Sequence, residues 1–310
     1  MKKTLIIASL LFISVQGFCQ SATPLAQYSG NQIIYNPGYA GIYDVLSANL
    51  SVRKSWAGLK RSPSLISFSA HAPFQKEQHA LGFVFQREQF GVMAANVTNV
   101  TYSHKIYFSN SILNLGVQAG LLNMVTDWDK IEFVMHPEDP GLGEGRQSVA
   151  RFDANFGAYF QADKLYLGLS AKHLTAPIVD KLRIGDDEWY SQMRRQFFFI
   201  GGYSIALNER WDVRPEMLVK YEHTVPTTVH AGALLVFENQ FFLGGAYSTG
   251  QKTLHITAKA QLLPNLRFGY SYDVHFGRIR SFQSGSHEIS INYLIRDLWE
   301  SSKTVDLLWL

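Results

Sequence analysis

Apolar and polar residues alternate along most of this chain. In residues 151–161, Phe152 and Phe156 lie on one face of an extended segment, and Asp153 and Asn155 lie on the other. Successive side chains of a β-strand point to opposite faces, so a segment of this kind has one apolar and one polar face. The pattern predicts β-strands that have lipid or protein on one side and water on the other.

About fourteen segments share this alternation, and most have the ~9–13 residues that suit a tilted strand crossing a membrane. They are residues 43–53, 64–74, 79–89, 96–108, 111–124, 151–162, 164–175, 194–207, 210–222, 227–238, 240–249, 253–263, 266–275 and 285–295. An even number of amphipathic strands predicts an all-β fold, a transmembrane antiparallel β-barrel of about 14 strands.

The links between these segments alternate in length. Tight turns are predicted at residues 109–111, 162–164, 208–210, 238–240 and 263–265, and long loops at residues 54–63, 125–150, 176–193 and 276–286. Short turns on one side and long loops on the other are typical of an outer-membrane barrel with a periplasmic N-terminus. A secreted β-sandwich or soluble barrel is the alternative, but the strands offer no second apolar face to fill a sandwich core.

The composition agrees with a membrane barrel and excludes several other classes. Hydrophobic residues make up 46% of the 310 residues and charged residues only 17%, whereas soluble domains have about 25% charged residues. The mean hydropathy of −0.05 is too polar for a bundle of membrane helices. A helical membrane protein, a disordered chain and a nucleic-acid binder with a basic face are therefore excluded.

The first residues have the pattern of a secretory signal peptide. Lys2 and Lys3 form a basic start, residues 5–15 are apolar, and Gly17 and Cys19 are small residues at positions −3 and −1 of a cleavage site. Cleavage there removes the single cysteine, so no disulfide or thiolate metal site is expected in the mature chain.

These observations divide the chain into four parts. Residues 1–19 are the expected signal peptide, residues 20–42 a periplasmic segment, residues 43–295 the barrel and residues 296–310 a C-terminal tail. A lipid anchor on Cys19 is a weaker alternative, because a bulky residue precedes that cysteine. The expected location is the outer membrane of a Gram-negative bacterium, with membrane lipid around the barrel.

The polar faces carry charges of both signs, among them Arg53, Asp153, Lys220 and Glu288. Such charges can pair inside a barrel or line water, and we favour an internal network because a selective pore would have a ring of one sign. The carboxylates of residues 125–150 suit calcium, but without EF-hand spacing a solvated loop is the better interpretation. With neither a Gly-x-Ser-x-Gly nor a His-Glu-x-x-His motif, the sequence indicates no enzyme, no metal site and no cofactor.

Seven short motifs occur in order along the chain. They are Tyr35–Gly41, Arg53–Gly58, Ser62–Ser64, His173–Pro177, Arg214–Lys220, Phe268–Asp273 and Gly285–Ile289. In this order they resemble the PorP/SprF family of Bacteroidetes outer-membrane proteins, which serve the type IX secretion system and gliding motility. Gly38 stands where the family more often has alanine, and Ser62 where glycine is commoner before the proline.

The resemblance implies a non-enzymatic accessory that supports export or surface attachment of a client adhesin, whose C-terminal domain it would contact. Other implied partners are the periplasmic ring of the secretion system and peptidoglycan-linked proteins. The motif residues that we take as possible partner-binding positions are Asn36, Pro37, Gly41, Arg53, Trp56, Gly58, Pro63, Gly285, Ser286, His287 and Glu288. A passive outer-membrane channel or solute transporter is the alternative function.

Closure of the barrel should bring several of these motifs close together. Arg53 ends the first predicted strand, Trp56 follows in the first long loop, and His287 and Glu288 open the last strand. First and last strands pair in a closed barrel, so we expect these residues to meet at the rim that carries the long loops. There they either brace the barrel or form a docking surface for the client.

Overall fold

Fourteen β-strands close into an antiparallel barrel within the part of the chain that a computed structural model describes. The described residues are 25–43, 45–74, 78–131, 145–184 and 187–295. Neighbouring barrel strands pair in sequence order, and the first and last strands complete the closure. The predicted fold class and strand number are therefore confirmed.

The strands agree closely with the alternating segments. The barrel strands are β1 (Leu46–Lys54), β2 (Ser64–Phe74), β3 (His79–Phe90), β4 (Met93–Tyr107), β5 (Ser111–Asp127), β6 (Arg146–Ala162), β7 (Leu165–Lys172), β10 (Gln196–Tyr203), β12 (Trp211–Glu222), β13 (Val225–Phe237), β14 (Phe241–Ser248), β15 (Thr253–Leu263), β16 (Leu266–His275) and β17 (Ser286–Ile295). Two shorter strands, β8 (Ile178–Ile184) and β9 (Asp187–Gln192), form a separate hairpin, and the two-residue strand β11 (Ile205–Ala206) follows β10 and pairs with the start of β12.

The outer surface is apolar and the lumen is polar, as the alternation predicts. On β1, Leu50 and Val52 are exposed on the outside, whereas Asn49, Ser51 and Arg53 are buried on the inside. An exposed band of this kind is stable when lipid, rather than water, surrounds it. No helix among the described residues is long and apolar enough to cross a membrane.

The two rims of the barrel differ. One rim, which we call the long-loop rim, carries the connections 55–63, 128–145, 173–195 and 276–285 together with tight turns. The opposite rim, the short-turn rim, has short connections at residues 75–78, 108–110, 163–164, 204–210, 238–240 and 264–265. The placement of the long-loop rim outside the cell remains a prediction from strand parity.

Two of the predicted long loops consist partly of β-strand. β5 and β6 stay paired as far as Asp127 and Arg146, which shortens the predicted loop 125–150. The predicted loop 176–193 contains the β8–β9 hairpin. The sequence signal for this hairpin is a Gly-Asp pair at residues 185–186, because such a pair between two strand-like runs is typical of hairpins. The expected signal peptide and C-terminal tail lie outside the described residues.

Residues 25–43, which precede β1, lie inside the barrel. We expected residues 20–42 to form a periplasmic segment, but residues 25–43, which we call the plug, are buried among inward-facing side chains. The plug runs from the level of Glu288, near the long-loop rim, to the start of β1 at the short-turn rim. A barrel of eight strands can be filled by its own side chains, whereas wider barrels leave a space inside. The plug occupies that space here.

Candidate functional site

Asn36 fixes the middle of the plug to the barrel wall. Its side-chain Nδ2 donates hydrogen bonds to the backbone oxygens of Ala158 (3.0 Å) and Leu169 (3.3 Å), which lie opposite each other on β6 and β7. Its Oδ1 accepts from the backbone N–H of Gly38 at 2.8 Å and so caps the 3₁₀ turn Pro37–Tyr39. One side chain therefore sets both the local turn and its position in the lumen.

Close backbone approach explains the glycines around this turn. A side chain at Gly116 of β5 would overlap the backbone of Pro37, and one at Gly41 would overlap Ala80. Gly41 has a φ of +67°, and its N–H donates to Nδ1 of His71 at 3.1 Å. The Asn-Pro and Gly positions of the first motif thus seat the plug.

Aromatic residues pack the centre of the lumen. Tyr39 of the plug makes edge-to-face contacts with Tyr43 and with Tyr159 of β6, at centroid distances of 6.1 and 5.4 Å. Neither Tyr28 nor Tyr39 lies in a stretch with strand periodicity, so the sequence alone does not predict their packing in the lumen.

Arg53 and Glu288 join the closing pair of strands to the plug. They lie opposite each other on β1 and β17, with the Arg53 guanidinium 3.1 Å from a Glu288 oxygen and paired also with Asp273 of β16. The Glu288 carboxylate accepts two more hydrogen bonds, from the backbone N–H groups of Ala26 (2.8 Å) and Gln27 (3.0 Å). A buried ion pair needs such additional partners.

The loops on either side of this closing seam, the β1–β17 pair, hold each other. The backbone N–H of Trp56 donates to Ser286 Oγ at 3.0 Å, and that of Ala57 donates to the Gly285 oxygen at 2.8 Å. Gly58 and Gly285 both have a φ of +94°, which favours glycine.

Two further motif residues of this region, Pro63 and His287, lie in different surroundings. Pro63 closes the 55–63 loop, because its oxygen accepts from the N–H of Ser55 at 2.9 Å. His287 faces outward, where its Nδ1 lies 2.8 Å from the Tyr270 hydroxyl. The structure thus brings the remaining motif residues of this rim together at the seam and separates His287 from them.

A cavity of about 160 Å³, the vestibule, lies between the plug and the long-loop rim. Ile34 and Tyr35 of the plug form its floor, and Glu88, Lys172 and Lys220 are among its wall residues. Lys172 Nζ donates to the backbone oxygen of Ile34 at 2.9 Å, so the wall also holds the plug. Within the described residues, no three His, Cys, Asp or Glu side chains come together as a metal site.

Comparisons with known proteins agree with this architecture. A family model described as "Type IX secretion system membrane protein PorP/SprF" matches residues 18–293. A search of curated proteins gave no match.

Several solved structures share the fold. The toluene transporter TbuX of Ralstonia pickettii matches with a TM-score of 0.51 and 10% identity, covering 85% of this chain and 92% of that one. A ΔS2S3 mutant of the monoaromatic hydrocarbon channel TodX has a TM-score of 0.50 and 10% identity, over 84% and 93% of the two chains. The toluene transporter TodX of Pseudomonas putida has a TM-score of 0.48 and 11% identity, over 90% and 94%. At this identity, the likeness to TbuX and to the TodX mutant shows the barrel fold alone.

Proposed function

Since the chain belongs to the PorP/SprF family of type IX secretion system membrane proteins, we propose that it is a plugged, non-enzymatic outer-membrane barrel that supports export or surface attachment of a client adhesin. The plug is the observation that carries this proposal, because residues 25–43 fill the lumen where a conducting barrel has its pore. A filled lumen favours a support that partners contact at its rims over a conduit through which a client passes.

The long-loop rim is the proposed docking surface for the client's C-terminal domain. The 276–285 loop presents Phe282 and Phe276, which are 71% and 44% exposed, beside the half-buried Trp56. Exposed aromatic side chains are frequent anchors of protein interfaces. The hydrogen bonds between the Trp56 loop and Gly285 hold this surface in place.

The short-turn rim is the proposed contact surface for the periplasmic ring or peptidoglycan-linked proteins. Its compact turns suit a surface close to the membrane. This assignment depends on the predicted orientation, in which the N-terminal end of the barrel faces the periplasm.

Deletion of the gene, followed by surface proteomics of intact cells, tests the proposal. We expect one or a few large surface proteins to disappear while other secreted proteins remain. Loss of all type IX cargo would instead indicate a core component, and an unchanged surface would contradict the adhesin role.

Substitution of Phe282 separates docking from folding. Phe282→Ala removes an exposed side chain, so we expect normal barrel assembly with reduced display of the client. Trp56→Ala should weaken both, because it removes the indole ring that lies edge-to-face on the His275 ring at a centroid distance of 6.5 Å, whereas the backbone hydrogen bond to Ser286 remains. Normal client display in both variants would contradict a docking role for this rim.

A passive transporter is the second candidate, since the toluene transporter TbuX has the same fold. It predicts that reconstituted vesicles take up small solutes faster than protein-free vesicles. The plug argues against this function, and absence of uptake would support the adhesin role.

A further inference from the structure

Three side chains with metal-binding chemistry converge on the outer face of the barrel near the short-turn rim. His79 opens β3 and pairs directly with His104 on β4. Tyr102 lies two residues before His104 and therefore on the same face. Leu81 and Ile106, which follow His79 and His104 on that face, are exposed, whereas Ala80 and Lys105 are buried inside. We call His79, Tyr102 and His104 the outer histidine cluster.

The nitrogen atoms of this cluster are close enough to share a ligand. Nδ1 of His79 lies 2.7 Å from the Tyr102 hydroxyl oxygen and 3.4 Å from Nδ1 of His104. A ring nitrogen has a single in-plane position, which carries either one proton or one lone pair. Two polar partners therefore compete for one position on His79. A cation bound by the two Nδ1 atoms would take the place of the proton between them, and the Tyr102 hydroxyl would turn away from its hydrogen bond to His79.

The spacing fits a transition-metal ion. Zinc–nitrogen bonds are ~2.0–2.1 Å, and tetrahedral geometry then puts two ligand nitrogens ~3.4 Å apart. The two Nδ1 atoms have this separation, at 3.4 Å. Imidazole is a preferred ligand of Zn²⁺ and Cu²⁺.

We propose that His79 and His104 bind a divalent transition-metal ion of the Zn²⁺ or Cu²⁺ type through their Nδ1 atoms, with water as the further ligands and the Tyr102 hydroxyl beside the ion. The ion would connect β3 to β4 on the surface that faces the membrane interface. This site is separate from the lumen and from the closing seam, so it stands independently of the secretion role.

Calorimetric titration of Zn²⁺ into the untagged barrel, refolded in detergent at neutral pH, tests the proposal. We expect one saturable site per barrel and a loss of affinity of about tenfold or more in His79→Gln and in His104→Gln, since even supporting residues of metal sites cost about 10–100-fold. His287→Gln is the matched control, because His287 also faces outward beside a tyrosine hydroxyl at 2.8 Å. It should bind Zn²⁺ like the wild type.

Bound Cu²⁺ provides a second measurement, which reports directly on the nitrogen atoms that ligate the ion. A histidine that only stabilises the barrel would not contribute to it. The electron paramagnetic resonance spectrum should show coupling to two nitrogens in the wild type and to one in either variant. Heat-modifiable migration on gels shows whether each variant is folded. Absence of a saturable site in the wild type, or unchanged binding in the double variant His79→Gln/His104→Gln, would overturn the proposal. So would binding that depends instead on the neighbouring lumen residues His230 and His255, whose ring centroids lie 4.7 Å apart.

Discussion

The two halves of the lumen hold the plug by different means. In the half near the short-turn rim, Pro37 and Gly41 lie against positions that leave no room for another side chain. In the half near the long-loop rim, Glu288 binds the start of the plug through hydrogen bonds to two backbone N–H groups, and a cavity lies against Ile34 and Tyr35. Close packing resists displacement in every direction, whereas a few polar contacts beside a cavity can be broken one at a time. If the plug moves at all, its first residues should move before the Asn36 turn.

The largest decrease in the free energy of unfolding is expected for Glu288→Ala. This change leaves Arg53 buried with Asp273 alone and removes the acceptor of two backbone N–H groups. Loss of one partner of a buried ion pair lowers the free energy of unfolding by about 3–5 kcal/mol. Urea unfolding of the refolded barrel, followed by tryptophan fluorescence, measures this difference.

A surface ion pair gives the matched control. Glu238 lies 3.5 Å from Arg210, and both side chains are largely exposed. Glu238→Ala should lower the free energy of unfolding by less than about 1 kcal/mol. Equal losses in the two variants would mean that Glu288 does not hold the plug.

An intermediate decrease in the free energy of unfolding is expected for Gly116→Ala. This variant tests the close packing of the plug in the half of the lumen near the short-turn rim. The new methyl group overlaps the backbone of Pro37, and overpacking of this kind costs about 1–3 kcal/mol. Gly245→Ala is the control, because the methyl group there meets its nearest atom, the backbone oxygen of His255, at 3.7 Å. A difference between the two unfolding free energies supports the close seat of Pro37. If the two variants unfold alike, the plug does not pack as described.

The smallest loss of stability is expected for Lys172→Met at the edge of the vestibule. This change keeps most of the side-chain volume but removes the hydrogen bond to the Ile34 oxygen, and a bond of this kind contributes about 1 kcal/mol. Amide hydrogen exchange should become faster in residues 25–35 and remain unchanged around Asn36. Faster exchange along the whole plug would contradict the division into two halves.

The barrel could be predicted from the sequence because its strands repeat one local rule. Alternation in segments such as 151–161 sets the inward and outward faces, and closure then places Arg53 opposite Glu288. The meeting of the Arg53–Gly58 and Gly285–Ile289 motifs at one rim follows from those two facts. Neither step needs knowledge of distant side-chain packing.

The plug could not be predicted in the same way. Residues 25–43 have no strand period, and their partners, such as Ala158 and Leu169 for Asn36, lie more than a hundred positions away. The Asn-Pro-Gly run indicates a turn but gives no information on what the turn packs against. The vestibule follows from the plug and was missed for the same reason.

Planar-bilayer recording of the purified barrel tests the central claim, that the plug closes the lumen, most directly. The wild type should show little or no conductance, and a variant without residues 25–43 should show a stable, porin-like conductance. Gly116→Ala, which keeps the whole chain, should conduct intermittently as its plug is displaced. Wild-type conductance equal to that of the plug-deleted variant would contradict the account.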